Sequence, residues 1–265
     1  MLESLLSPEK AEKRPYEMFF FAIALALVAT GLALVVSGNN AGHLVIAFIC
    51  IGTAPMMVRL IMIEEEEDET THESEINLLS RHGDLFAVYG FYFLGIIAAI
   101  SLVFVLLPPA LEQPTFGPQL TELNAIKALA TAHATTNCGF TCLLSNNLTV
   151  LALELLFSFI FGAGAAYIIT WNASIVGVLI GMTAKAAPGN PVLNYLVALP
   201  ISLVKLFPHG FFEIGAYFFG GIAGGMLSAM VIRGHWHNKS VIKDIATITA
   251  IAVVMIVIGA VIESL

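Results

Sequence analysis

Six stretches of this chain are apolar over the length a helix needs to cross a bilayer, about 20 residues rising ~1.5 Å each. They are Met18–Val36, Leu44–Ile63, Leu85–Leu107, Leu148–Thr170, Phe211–Ile232 and Ile245–Ile262. Hydrophobic residues make up 58% of the sequence and charged ones 11%, against about 25% charged in soluble domains. A folded domain keeps much of its surface exposed and cannot hide this much apolar area in one core. Lipid must be the solvent for most of it. That excludes a soluble enzyme, a nucleic-acid module and a disulfide scaffold, for which Cys50, Cys138 and Cys142 are in any case too few.

The fold class expected is all-α, a polytopic transmembrane helix bundle forming a single integral membrane domain over 1–265. Arg59 stands close enough to the end of its run to snorkel outward, and Lys243 and Asp244 mark the start of the last one. The first seventeen residues are charged, and no small-residue cleavage site follows the run from Met18. That run reads as a retained span rather than a signal peptide. Two shorter runs, Ala173–Ala184 and Val192–Leu206, are separated by Lys185 and the breaker-rich Pro188-Gly189-Asn190-Pro191. One is expected to cross and the other to be re-entrant or interfacial, giving about seven crossings (six to eight) with one broken or re-entrant segment.

Positive residues in short loops favour the cytoplasmic side. An amino end inside places Lys10, Lys13, Arg14, Arg59, Arg81, Arg233, Lys239 and Lys243 within, and Lys127, Lys185 and Lys205 outside. The expected location is the cell membrane, with the amino terminus cytoplasmic and the carboxyl terminus external. The net charge of −8 is mostly one loop: eight of the 19 acids lie in Glu64 to Asp68, Glu69, Glu73 and Glu75. This acidic loop, 64–84, is expected in the cytoplasm as a solvated segment. An external loop, 108–147, carries Leu123, Ile126, Ala130 and Ala134 at near-helical spacing, which predicts a helix on the membrane surface within Leu120–Leu144.

Ionisable groups inside a bilayer cost at least ~2.5 kcal/mol at a helix centre, so they are the first places to seek function. Glu154 falls about 9 Å into its run at the helical rise, and Asn147 precedes it by seven residues on the same face. Asn146 and Asn147 also suit a helix amino-terminal cap. In Pro208-His209-Gly210-Phe211-Phe212-Glu213, proline suits a first turn, and His209 and Glu213 share a face at spacing four. A carboxylate there can orient and charge the imidazole, or the two can form a clamp at the helix start. With two spans starting on one side, Asn146, Asn147, Glu154, His209 and Glu213 are expected to form one polar site in the outer half of the membrane. Glu213 is expected ionised beside His209, and Glu154 neutral.

Other signals are weaker. His133, Cys138 and Cys142 match no zinc spacing and lack a fourth ligand, so surface cysteines or a local disulfide are favoured; no metal and no cofactor is expected. His235-Trp236-His237 reads as an interface anchor. Small residues at spacing four, Gly177/Gly181, Gly220/Gly224 and Gly221/Gly225, permit close helix packing within the chain or in a homodimer. No zinc-protease helix, nucleophile elbow or phosphate-binding loop occurs, which argues against an enzyme and assigns no catalytic residue.

The ordered set Ser145-Asn146-Asn147, Phe161-Gly162-Ala163-Gly164, Trp171-Asn172, Gly177, Gly181 and Pro208-His209-Gly210-x-x-Glu213 resembles the stage II sporulation protein M family of multi-pass prokaryotic membrane proteins. The likeness covers roughly 145–233. The family often has Asn-Gly, and hence a tight turn, where this chain has Asn172-Ala173. The resemblance implies a scaffold in a membrane complex with cell-wall-degrading partners. Three functions follow: a membrane scaffold or complex component, a transporter or channel component using the polar site, and an intramembrane hydrolase or lipid-modifying enzyme. The partners expected are the lipid bilayer, a second copy of the chain and other membrane proteins, with no nucleic acid.

Overall fold

The computed structural model describes residues 7–70, 83–136, 139–161, 164–234 and 239–264. Side chains at 39, 61, 64–70, 127–136, 161, 164, 165, 233 and 240 fall outside that description. Among the described residues every regular element is helical: α1 (Pro8–Lys13), α2 (Tyr16–Ser37), a 3-10 turn (Gly38–Asn40), α3 (Gly42–Thr70), α4 (Gly83–Leu106), α5 (Pro109–Thr136), α6 (Gly139–Phe161), α7 (Gly164–Ala186), α8 (Pro191–Arg233) and α9 (Lys239–Ser264). All but α1 and α5 are long and apolar enough to span a membrane, which makes seven.

The apolar runs regroup, however. Leu148–Thr170, expected as one span, is divided between α6 and α7. Side-chain contacts give the directions. Helices α4 and α7 run parallel, with the Tyr92 hydroxyl 2.5 Å from Thr170 Oγ1 and Gly181 against Phe104. Helix α8 opposes α4, since Tyr195 donates to the Ala98 carbonyl at 3.0 Å while Phe218 stacks on Tyr89 further along. Helix α6 runs with α8, Asn147 lying at Glu213 and Ser158 at Gly224. The chain therefore reverses between Phe161 and Gly164. The sequence there, Phe161-Gly162-Ala163-Gly164, contains no charge and no proline, so hydropathy shows no dip.

The two short runs are absorbed into longer helices: Ala173–Ala184 into α7, Val192–Leu206 into α8. Asn190 does cap α8, its Oδ1 accepting from the Val192 and Leu193 amides at 2.9 and 3.3 Å. Helix α8 then continues for 43 residues through Pro200 and Pro208. Pro208 is thus deep inside a helix rather than in its first turn, which removes the clamp at the helix start. Membrane helices tolerate internal proline where neighbours and local adjustment satisfy the freed carbonyls. In its most apolar stretch α8 has 83% of residues buried by the rest of the chain, against 22% in α6, so α8 is the central helix.

The segment expected as an external loop is mostly helix α5, kinked at Phe116 (φ −130°, ψ 21°) between Pro114 and Pro118. It begins earlier than the surface helix expected within Leu120–Leu144, and it packs into the bundle instead of lying on it. Thr115, Phe116 and Gln119 are fully buried, and Gln119 Nε2 donates to Ser174 Oγ at 3.3 Å. Leu123 is buried while Ile126 is 48% exposed. Lys185 fastens this helix, its ammonium donating to Glu112 Oε1 and to the Leu107 carbonyl, each at 2.6 Å. The α3 backbone is helical as far as Thr70. Of the 64–84 loop, the acidic side chains from Glu64 to Glu75 lie outside the described residues, as do the side chains of Lys127 and Arg233 and the triplet His235-Trp236-His237, whereas Asp84 is exposed in the first turn of α4.

Candidate functional site

Close approach of α6 and α8 is made by glycine. A Cβ added to Gly224 would stand 2.6 Å from Ser158 Cβ and 2.7 Å from the Leu155 carbonyl oxygen. On Gly220 it would stand 2.6 Å from Leu151 Cδ1 and 3.3 Å from Glu154 Cγ. This part of the small-residue stripe is therefore used within one chain. Gly177 and Gly181 do the same between α7 and α4, against Ile100 and Phe104. Gly221 and Gly225 are buried as well.

Against that seam lies Glu154, the sixteenth of the 23 residues of α6, nearer the Phe161 end than the Gly139 end and so not in the outer half that a span beginning at Leu148 implied. It is 0% exposed, and neither carboxyl oxygen has a hydrogen-bond partner. Removing an ionised carboxylate from water costs several kcal/mol even after relaxation. The side chain is stable here only if it takes up a proton or a cation. Tyr89 of α4 and Tyr217 of α8 lie within electrostatic reach of it. The Tyr89 hydroxyl and the Ser158 hydroxyl, one turn beyond Glu154, also lack partners.

Two turns earlier on α6, Asn147 Nδ2 donates to Glu213 Oε1 of α8 at 2.6 Å. Asn147 Oδ1 accepts from Asn146 Nδ2 at 3.2 Å and from the Tyr217 hydroxyl at 3.4 Å. From α9, the Glu263 carboxyl acts on Glu213 at close range. Gly259 makes room for this, since a Cβ there would lie 2.9 Å from Glu213 Cγ. The sequence-expected residues Asn146, Asn147 and Glu213 are thus in contact, and Glu154 lies deeper in the same seam. His209 is half-buried and, among the described residues, forms no ion pair with Glu213. Glu213 reaches across to α6 and α9 instead of back along its own helix, so the expected imidazolium partner is replaced by an amide and a second acid.

Sequence reasoning missed Tyr217, Ser158, Tyr89 and Glu263. Tyr217 and Ser158 carried a usable signal, each four residues after a singled-out acid. Tyr89 and Glu263 are brought in by tertiary packing alone. A second polar group, Thr53, Tyr92 and Thr170, is by contrast self-satisfied: Thr53 Oγ1 donates to the Tyr92 hydroxyl at 3.3 Å, and Thr170 donates to the Ala166 carbonyl at 2.5 Å. Cys142 is disulfide-bonded and so is not a thiolate ligand, while Cys50 is a free thiol. His133 and Cys138 lie outside the described residues.

Seven apolar helices around a partnerless carboxyl group define a multi-pass helical membrane protein with a polar centre. The profile of the stage II sporulation protein M family matches residues 85–265, more than half of the sequence, and the chain belongs to that family. The match extends beyond 145–233 to take in α4 and α9, the helices that supply Tyr89 and Glu263. An uncharacterized protein of Methanocaldococcus jannaschii is 33% identical over 131 residues, covering 47% of this chain and 68% of that protein. No solved structure matches. Asn172-Ala173 lies inside α7, where Asn172 Nδ2 donates to the Ile168 carbonyl at 2.9 Å. No turn forms there; the reversal falls upstream at Phe161–Gly164.

Proposed function

We propose that this protein is the membrane-embedded component of a transport or channel assembly in the cell membrane, with Glu154 as the ion-handling group. The observation that carries this reading is the complete burial of Glu154 with both oxygens unpartnered. Intramembrane acids are rare, and those facing a bundle interior mark ion or substrate pathways. A glutamate serving only to join helices would be expected to spend its oxygens on donors from the neighbouring helix, as Glu213 does with Asn147. The orientation that goes with this reading has the amino terminus in the cytoplasm and the carboxyl terminus outside, on the distribution of Lys and Arg.

The test is flux in liposomes holding the purified protein and a trapped pH indicator or cation indicator. Wild-type protein should dissipate an imposed gradient faster than empty liposomes, and Glu154→Gln should reduce the rate to that of empty liposomes while remaining folded. Equal rates for the two proteins would overturn the reading. A scaffold role is the second reading, supported by the family and by the apolar face that α8 leaves exposed at Leu193, Leu196, Val197, Val204 and Phe207. A scaffold should keep its membrane-protein partners in Glu154→Gln and lose them when charged residues replace Leu196 and Val204.

A further inference from the structure

We infer that the ion is sodium, held by the Glu154 carboxylate and the Ser158 hydroxyl in the seam between α6 and α8. This rests on the transport reading and narrows it to one ion and one additional ligand. Ser158 follows Glu154 by four residues on α6, so the two share a helix face. Each meets one glycine of α8. A Cβ on Gly220 would lie 3.3 Å from Glu154 Cγ, and a Cβ on Gly224 would lie 2.6 Å from Ser158 Cβ. Those glycines are likewise one turn apart, so both side chains enter the same seam at consecutive levels. The Cα–Cβ bonds of a helix tilt toward its amino end, which leans Ser158 back toward the turn that carries Glu154. Both residues are fully buried, and Glu154 Oε1, Glu154 Oε2 and Ser158 Oγ have no hydrogen-bond partner.

Ser158 departs from the habit of this bundle. Other buried hydroxyls donate to the carbonyl four residues back: Thr30 to Ala26 and Thr53 to Ile49 at 2.8 Å, Ser101 to Ile97 at 2.6 Å. Ser158 has the Glu154 carbonyl in that position and does not use it. Its oxygen keeps two lone pairs for a ligand. A proton on Glu154 would cancel the charge but leave the three oxygens without partners. A water molecule would partner them but leave the charge. One cation does both, since carboxylate and hydroxyl oxygens are hard donors suited to hard ions. The charge of the site sets the valence. Among the described residues Glu154 has no ion-pair partner, and no three His, Cys, Asp or Glu side chains come together. A divalent ion on one carboxylate would leave a net charge buried, which is costly, whereas a monovalent ion leaves none. The close approach of the backbones at Gly220 and Gly224 favours sodium over the larger potassium ion.

The test is binding of radioactive sodium to the purified full-length protein in detergent, by equilibrium dialysis with choline as the balancing cation. Wild-type protein should bind a sodium ion that Glu154→Gln does not, a difference that removes the contribution of surface acids. Ser158→Ala should weaken this binding about tenfold, equal to ~1.4 kcal/mol. Thermal unfolding gives a second reading: replacing choline chloride by sodium chloride should raise the wild-type midpoint, because a ligand of the folded state stabilises it. Should Glu154→Gln fail to fold, Ser158→Ala, which removes only a hydroxyl, carries the comparison. No sodium bound by the wild type, equal binding in Glu154→Gln, wild-type affinity in folded Ser158→Ala, or equal competition by potassium would each overturn the inference. Liposome flux separates the two ideas. Sodium binding without flux above empty liposomes rejects transport and keeps the site. Flux that Glu154→Gln abolishes, in a protein that binds no sodium, keeps transport and rejects the site.

Discussion

Asn147 spends both ends of its amide across a helix interface, donating to Glu213 and accepting from Asn146 and Tyr217. Asn147→Leu would leave the half-buried Glu213 without its amide donor, and an unsatisfied buried group costs ~1–3 kcal/mol. Thermal unfolding in detergent should register that loss. The effects of Asn147→Leu and Glu213→Gln should be non-additive by ~0.5–3 kcal/mol, as for groups in contact. His209→Ala with Glu213→Gln should instead add to within about 0.5 kcal/mol; strong coupling there would restore the histidine partner that the geometry denies. Glycine gives a second forecast. Gly224→Ala pushes a methyl against the Leu155 backbone oxygen, which cannot yield as a side-chain end does. Overpacking of this kind costs ~1–3 kcal/mol, whereas Gly220→Ala meets chiefly the flexible tip of Leu151 and should cost less. Detergent-measured mass should stay the same in both variants. At this scale Asn147, Glu154 and Glu213 were legible because polar groups stand out in apolar sequence. Glu263 was not, because nothing local marks an acid near a helix end as the partner of another fifty residues earlier.

Elements were less legible than residues. Hydropathy locates apolar length but cannot register a change of direction, so the reversal between α6 and α7 was invisible while the Pro188–Pro191 break was plain. The opposite error occurred in α8, where Lys205, Pro208 and His209 interrupt the apolar pattern without interrupting the helix. Helix α5 presents a third case: its Pro114 and Pro118 suggest loop, yet Phe116 accommodates the kink and the helix resumes. What holds α5 in place is Lys185, bonded to Glu112 and the Leu107 carbonyl and lying 5.2 Å over the Phe104 ring. The Lys185 and Glu112 side chains keep only 20% and 25% of their surface, so solvent screens this pair partly. Lys185→Met should cost about 1–3 kcal/mol, the range for losing a charged hydrogen-bonding partner. It should also open α5 to limited proteolysis before the remaining bundle. An unchanged cleavage pattern would mean that the apolar contacts of Phe116 and Leu123 suffice.

Among the described residues seven helices are long and apolar enough to span a membrane, and the proposed orientation, with the amino terminus in the cytoplasm and the carboxyl terminus outside, is open to direct labelling. With Cys50 replaced by Ser, Cys142 should react with an impermeant thiol reagent in intact cells after reduction, and a cysteine introduced at Asp68 should not. Labelling at Asp68 would invert the orientation. In either orientation α6, α8 and α9 meet around a single seam, and a pathway reaching the deep Glu154 along it would pass the shallower acids Glu213 and Glu263. The coupling between them is the decisive quantity. Glu154→Gln, Glu213→Gln and the double variant, compared by thermal unfolding in one detergent, should depart from additivity by ~0.5–3 kcal/mol, because both acids lie on the α6–α8 seam and both act electrostatically on Tyr217. Simple additivity, to within about 0.3 kcal/mol, would show two separate acids and contradict a single intramembrane site.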